Sequence, residues 1–242
     1  MALVLFTDFG ANDLYVGQME AVLDRSAPGV RVMHLLHEAP RFNPRASAHL
    51  LAALVTRMPP GHVYVAVTDP GVGSERAAVA MHADGNWFVG PDNGLLSVVA
   101  ARSGSCRLWR IVREPAGIAV SFHGRDLFAP LAASIARGEF PDGSVAPSDA
   151  LAVTLGAGDL AEIIYVDHYG NVFTGIRAQE VPQARRFIVG GREIGHGRVF
   201  SAVTPGALLW YENSVGLVEI AVNGGSAAAT LGLAVGAPVG WA

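Results

Sequence analysis

The 242-residue chain is 51% hydrophobic and 16% charged, which places it among compact globular proteins rather than disordered ones. A formal net charge of -4 without any basic run argues against nucleic acid as the main partner. All seventeen basic residues are arginine, so Schiff-base catalysis, a lysine-anchored pyridoxal group, the Walker lysine and the kinase strand lysine are excluded.

The N-terminus, MALVLFTDFG, has no basic leader, and the longest apolar stretch, near LLAALV, is far below membrane-spanning length. The expectation is a soluble cytoplasmic protein with no membrane partner. From residue 2 to about 140, short apolar runs (ALVLF, VRVMHLL, HVYVAV, AAVAM, WFVG) alternate with helix-compatible segments such as DLYVGQMEAVLDRS and PRASAHLLAALVTRM. That alternation predicts an α/β layered N-terminal domain with a mainly parallel sheet. The lone Cys106 sits in SGSCRLW, without nucleophile or metal spacing, and is expected to be a buried or half-buried structural thiol. Near 141–159 the composition turns to Pro, Gly, Ser and Asp, the signature of a linker, giving domains of about 1–150 and 151–242. Beyond it, EIIYVD, NVFTGI, RFIVGG, GALLWY and GLVEIAV predict a smaller C-terminal all-β domain, a barrel.

Ligands of parallel sheets bind where strands end, and polar clusters collect at those ends here. Asp8 follows the first strand, with Asp13 five residues on; Thr68 and Asp69 follow the third; PDNG follows another; and His123 stands at the entrance to a helix running to about Gly138. Each has a plain structural reading: Asp8 and Asp13 as helix caps, Pro70, Gly71 and Gly73 as a turn, Arg125 and Asp126 as a surface pair. Their repeated placement behind buried strands points instead to a polar ligand site. HLLHE (34–38) reads as a strand end leading into a loop rather than a metal pair. DFG and HGRD stand in the wrong order for a kinase, GVGSER lacks the lysine of a phosphate loop, and no GxSxG, HExxH or CxxC occurs.

Together TDFGANDLYVGQMEAVL, TDPGVGSER, VGPDNGLLS, FHGRDLFAP, IIYVDHYGNVFTGI and YENSVGLVEIAVNGGSAAATLGL resemble the S-adenosyl-L-methionine (SAM) hydroxide adenosyltransferases, adenosine-forming SAM hydrolases related to fluorinase and chlorinase. The resemblance runs in order along nearly the whole chain. It implies an N-terminal α/β domain joined to a C-terminal β-barrel, hydrolysis of SAM to adenosine and L-methionine with no metal or organic cofactor, and homotrimers with active sites between subunits. It carries the catalytic trio onto Asp69, Arg76 and His123. It also implies that Asp8 holds the ribose hydroxyls, Asp167 the methionine ammonium and Asn171 the adenine edge. Phe122, Tyr169 and Phe173 supply apolar walls, Ser214 meets the methionine carboxylate, and backbone near Val222 and Gly224 faces adenine. Two departures stand out: Gly175 where the family has Asn after Thr174, and Val215 where fluorinase has arginine. With FHGRD at 122–126, they favour water over halide as nucleophile. The alternatives are a SAM-dependent halogenase and a catalytically quiet SAM- or adenosine-binding regulatory protein.

Overall fold

The computed structural model describes residues 1–113 and 117–242. The chain forms two compact units, Met1–Leu51 with Met58–Ala157 and Ala52–Arg57 with Gly158–Ala242.

In the first, β1 (Leu3–Thr7), α1 (Leu14–Ser26), β2 (Val32–Leu36), α2 (Pro44–Val55, whose residues from Ala52 on belong to the second), β3 (Val63–Val67), β4 (Ala78–Ala83), β5 (Asn86–Pro91), α3 (Ser97–Arg102), β6 (Cys106–Ile111), α4 (Ala129–Ala136) and β7 (Val145–Ser148) follow in chain order. One seven-stranded sheet runs β2-β1-β3-β5-β4-β6-β7. The continuous apolar runs LVLFT and VYVAV are buried along their whole length, as strands covered on both faces must be. On one face Leu3, Leu5, Val63 and Val65 join Met19 and Leu23 of α1 and Phe128 and Ala132 near α4 in a single core. On the other, Tyr64 stacks on Phe88 with ring centroids 4.8 Å apart.

Two expectations are corrected. The sheet is partly rather than mainly parallel: β2, β1, β3 and β5 are parallel, whereas β4, β6 and β7 join antiparallel. The cause is local, because Asp84 and Gly85, at φ 45° and 79°, close a two-residue hairpin between β4 and β5, and so tight a link joins only antiparallel strands. Cys106 is exposed rather than buried, since β6 presents its first residues to solvent. Residues 145–148, inside the stretch read as a linker, form β7 and pair with β6.

The second unit contains β8 (Leu160–Val166), β9 (Val172–Arg177), β10 (Phe187–Val189), β11 (Arg192–Ile194), β12 (Leu208–Glu212), β13 (Leu217–Val222), α5 (Ala227–Leu231) and β14 (Gly240–Trp241). Its ladders form two antiparallel sheets, β12-β13-β9-β8 and β11-β10-β14. Phe187, Trp210, Ile220 and Val172 share one core, and the buried Trp210 indole N–H donates to the Arg185 carbonyl at 2.8 Å. Among the described residues no helix is long and apolar enough to cross a membrane.

Gly90 in β5 lies so close to β3 that a Cβ there would stand 2.3 Å from the Ala66 carbonyl oxygen. Gly90→Ala therefore pushes two central strands apart and is expected to lower stability by about 1–3 kcal/mol, measured by urea denaturation; unchanged stability would show that the sheet yields freely there.

Candidate active site

The parallel strands β1, β3 and β5 end at one edge of the first sheet, and the polar clusters noted in the sequence gather there. The chain leaves β3, passes the end of β5 through residues 68–77, and enters β4 on its far side. This crossing sets Asp69 and Arg76 at opposite ends of one loop. Gly73 allows the tight course: its φ is +79°, and a Cβ would meet Val120 Cγ1 at 2.8 Å.

Arg76 closes the loop. Its Nε donates to both Asp69 oxygens, at 2.9 and 3.0 Å, and its Nη2 also bonds Oδ2. The pair is withdrawn from water, with side chains 11% exposed for Arg76 and 4% for Asp69. The same Nη2 reaches Nδ1 of buried His123 at 3.1 Å, and the guanidinium lies 5.5 Å from the Phe128 ring centre. A guanidinium only donates, so Nδ1 accepts and the imidazole proton sits on Nε2. His123 is placed by a short π-helical turn, Gly124–Phe128, that leads into α4. Arg125 and Asp126 brace this turn. They pair with each other, Asp126 accepts from the Ala119 amide at 2.8 Å, and Arg125 donates to Gln18 at 2.7 Å. The pair thus fastens three segments rather than decorating the surface, and its bond to Arg125 holds the Asp126 carboxyl below the usual range.

Asp69 and His123 line a cleft of about 270 Å³ together with Asp8 and Phe122. Arg76 stands behind its wall. Phe122 packs edge-on against Phe9 and Tyr15, at 5.7 and 5.4 Å, so three rings make one apolar side. Asp8 accepts from the Phe42 amide at 3.3 Å. Burial pushes its carboxyl above the usual range; the bond from Phe42 opposes this, while nearby Asp69 adds to it. Not every expected residue reaches the cleft. Asp13 caps α1, accepting from the Leu14 amide at 2.6 Å, and Thr68 is wholly buried with its hydroxyl on Ser47 at 3.2 Å. Neither is among the cleft-lining residues. Conversely, Phe9, Tyr15, Arg41 and Phe42 line it without having been singled out. Phe9 and Tyr15 flank Asp8 and Asp13 in the sequence, a signal that was present; Phe42, at φ +56°, has none.

In the second unit the turn between β8 and β9 is organised by Asp167, whose carboxylate accepts from the Tyr169 and Asn171 amides at 2.9 and 2.8 Å and from the Asn171 side chain at 3.1 Å. Gly170, at φ +82°, lets the turn close against Ser226. Tyr169, Asn171, Phe200, Val222 and Gly224 line a cavity of about 360 Å³. Phe173 lies outside that lining and packs on Tyr165, and Ser214 is an exposed turn residue between β12 and β13. Buried Glu219, unforeseen from sequence, accepts from the Tyr211 hydroxyl; burial raises its carboxyl.

Residues 3–144 match the model of the SAM hydroxide adenosyltransferase N-terminal domain, and residues 161–240 that of the C-terminal domain. The chain belongs to this family. Over 95% of its length it is 39% identical to an (R)-S-adenosyl-L-methionine hydrolase of Salinispora arenicola, covering 93% of that protein. It shares 39% identity with the Thermus thermophilus protein of the same name, over 96% of both chains. Among solved structures, an uncharacterized conserved protein from Thermotoga maritima superposes with a TM-score of 0.88 at 31% identity, covering 99% of both chains.

Asp8 provides a test of the cleft's electrostatics. Its raised folded pKa means that the native state binds the proton more tightly than the unfolded chain does; stability from this group is full below the unfolded value near 3.8 and is lost as pH rises through the folded value. Asp8→Asn is therefore expected to raise the unfolding midpoint at pH 7 and to leave it unchanged near pH 3, by calorimetry; destabilisation at pH 7 would show that the carboxylate is held by its partners.

Proposed function

We propose that this chain hydrolyses S-adenosyl-L-methionine to adenosine and L-methionine by attack of water on the ribose C5′ in line with the departing sulfur. The observation that carries the reading is the buried Asp69–Arg76–His123 assembly beside Asp8 in one cleft, in a chain matched almost end to end by named (R)-SAM hydrolases. The substrate is the (R)-sulfonium form that those relatives are named for.

Each group has a task suited to its chemistry. Asp8, with two acceptor oxygens, takes the ribose hydroxyls. The Phe9, Tyr15 and Phe122 rings keep water from the sulfonium. The attacking water lies between Asp69, which accepts one of its hydrogens, and the His123 Nε2–H, which donates to its oxygen and favours hydroxide character. Arg76 holds both partners and fixes the imidazole tautomer, so it is a positioning residue. As the C–O bond forms, the C–S electron pair returns to sulfur, methionine leaves as a neutral thioether, and the water proton passes to solvent. Opposite charges cancel along this path, so a dry cleft favours it over bulk water.

Asp167, Asn171, Tyr169, Phe173 and Ser214, with backbone at Val222 and Gly224, are proposed to receive the methionine and adenine ends. We take the domains to be 1–150 and 151–242, with the two small sheets of the latter curling as a barrel. We also take the working form to be a homotrimer in the cytoplasm, in which the N-terminal domain of one copy faces the C-terminal domain of another.

Incubation with each sulfonium epimer in oxygen-18 water tests the chemistry. Label in the adenosine 5′-hydroxyl is the expected result; absence of adenosine would remove the hydrolase reading, and 5′-halo-adenosine formed with chloride or fluoride would replace it with a halogenase. His123→Ala is expected to lower kcat by on the order of a hundredfold or more with little change in substrate binding; an equal loss of binding would reassign it as an anchor. Activity is also expected to sediment as a trimer, and a fully active monomer would refute the assembly.

A further inference from the structure

The two histidines of HLLHE take no part in the chemistry above, yet they form a continuous line from solvent to the cleft. Exposed Glu20 of α1 lies 2.8 Å from His34 Nε2 on β2, and His34 Nδ1 lies 2.7 Å from His37 Nε2. His37 Nδ1 lies 2.8 Å from the Thr7 hydroxyl at the end of β1, and that oxygen accepts from the Phe9 amide. His37 and Thr7 are 7% and 0% exposed, so the inner half has no access to water.

The outer end dictates the direction of every bond. A carboxylate only accepts, so His34 carries its proton on Nε2 and presents a bare Nδ1. His37 must then donate from Nε2, leaving its Nδ1 to accept from the Thr7 hydroxyl, whose lone pair is free for the Phe9 amide. Every donor in the line has one acceptor. The same segment clamps the loop further: the Gly10 amide donates to the His37 carbonyl at 2.8 Å, the Ala11 amide to Glu38 Oε1 at 2.9 Å, and the Ala39 amide to the Thr7 carbonyl at 3.1 Å. Between Thr7 and Gly10 lie the two cleft residues Asp8 and Phe9.

We propose that Glu20, His34, His37 and Thr7 form a one-directional hydrogen-bond line that positions Asp8 and Phe9. The proposal rests on the reading of the cleft as the nucleoside site. The groups facing the imidazoles are Glu20 from α1, Glu38 from the following loop, and each other, with Arg41 paired to Glu38.

The test combines imidazole nitrogen NMR of the whole protein with amide exchange and kinetics of Thr7→Val and Thr7→Ser. Near neutral pH both rings are expected as Nε2–H tautomers. Thr7→Val, of the same shape, is expected to speed exchange at Phe9 and Gly10 about tenfold and to raise KM by a similar factor with kcat changed less, the scale of one lost hydrogen bond; Thr7→Ser restores both. An Nδ1–H tautomer on either ring, or parent-like exchange in a folded Thr7→Val, overturns the proposal. Spectra and exchange decide this even if the parent proves inactive towards SAM, a result that would remove only the functional reading.

Discussion

A single guanidinium, placed where almost no water reaches it, constrains the cleft end of the first unit. Arg76 neutralises Asp69, dictates which nitrogen of His123 carries the proton, and lies over Phe128. An ion pair this buried adds little net stability, because removal from water offsets much of the attraction, whereas deleting one partner costs about 3–5 kcal/mol. Its value is geometric. Lysine could not replace it, since a point charge lacks the planar fork that bonds two carboxylate oxygens and an imidazole together. The loop with Gly73, the strands β3 and β4, and the π-helical turn before α4 all converge on this requirement.

The surroundings of that centre are matched to a substrate that begins as a cation. On one side lie the Phe9, Tyr15 and Phe122 rings; on the other, the Asp8 and Asp69 carboxylates are close enough that each needs its charge compensated. For Asp69 the answer is Arg76. For Asp8 it is the Phe42 amide, its own amide and Arg41, and burial outweighs them, so its carboxyl is raised.

Much of this was legible beforehand, and the failures have identifiable causes. Apolar runs predicted β1, β2, β3, β4, β5, β8, β9, β10, β12 and β13, and the helical segments fall on α1 and α2. The extent of parallel pairing was overestimated because the Asp84–Gly85 hairpin signal went unread, although it is among the clearest short-range signals a sequence offers. The spacing around Cys106 points to a buried or half-buried structural thiol; its place at the exposed start of β6 depends on which strands lie beside it. Asp13 and Thr68 share the residue types and strand-end positions of true cleft residues. Only their partners, the Leu14 amide and Ser47, separate them from Asp8 and Asp69.

By itself the sequence determined which chemistries were open: no lysine, strand-end carboxylates and a family pattern running the length of the chain. Residue type and short-range periodicity are local properties, and a string of letters states them directly. Tertiary structure alone decided that Arg76 bonds Asp69 and His123 at once, that Phe42 reaches the cleft, and that Glu20, His34, His37 and Thr7 fall into line. These depend on distances between side chains brought together by strand order, and no local spacing encodes such distances.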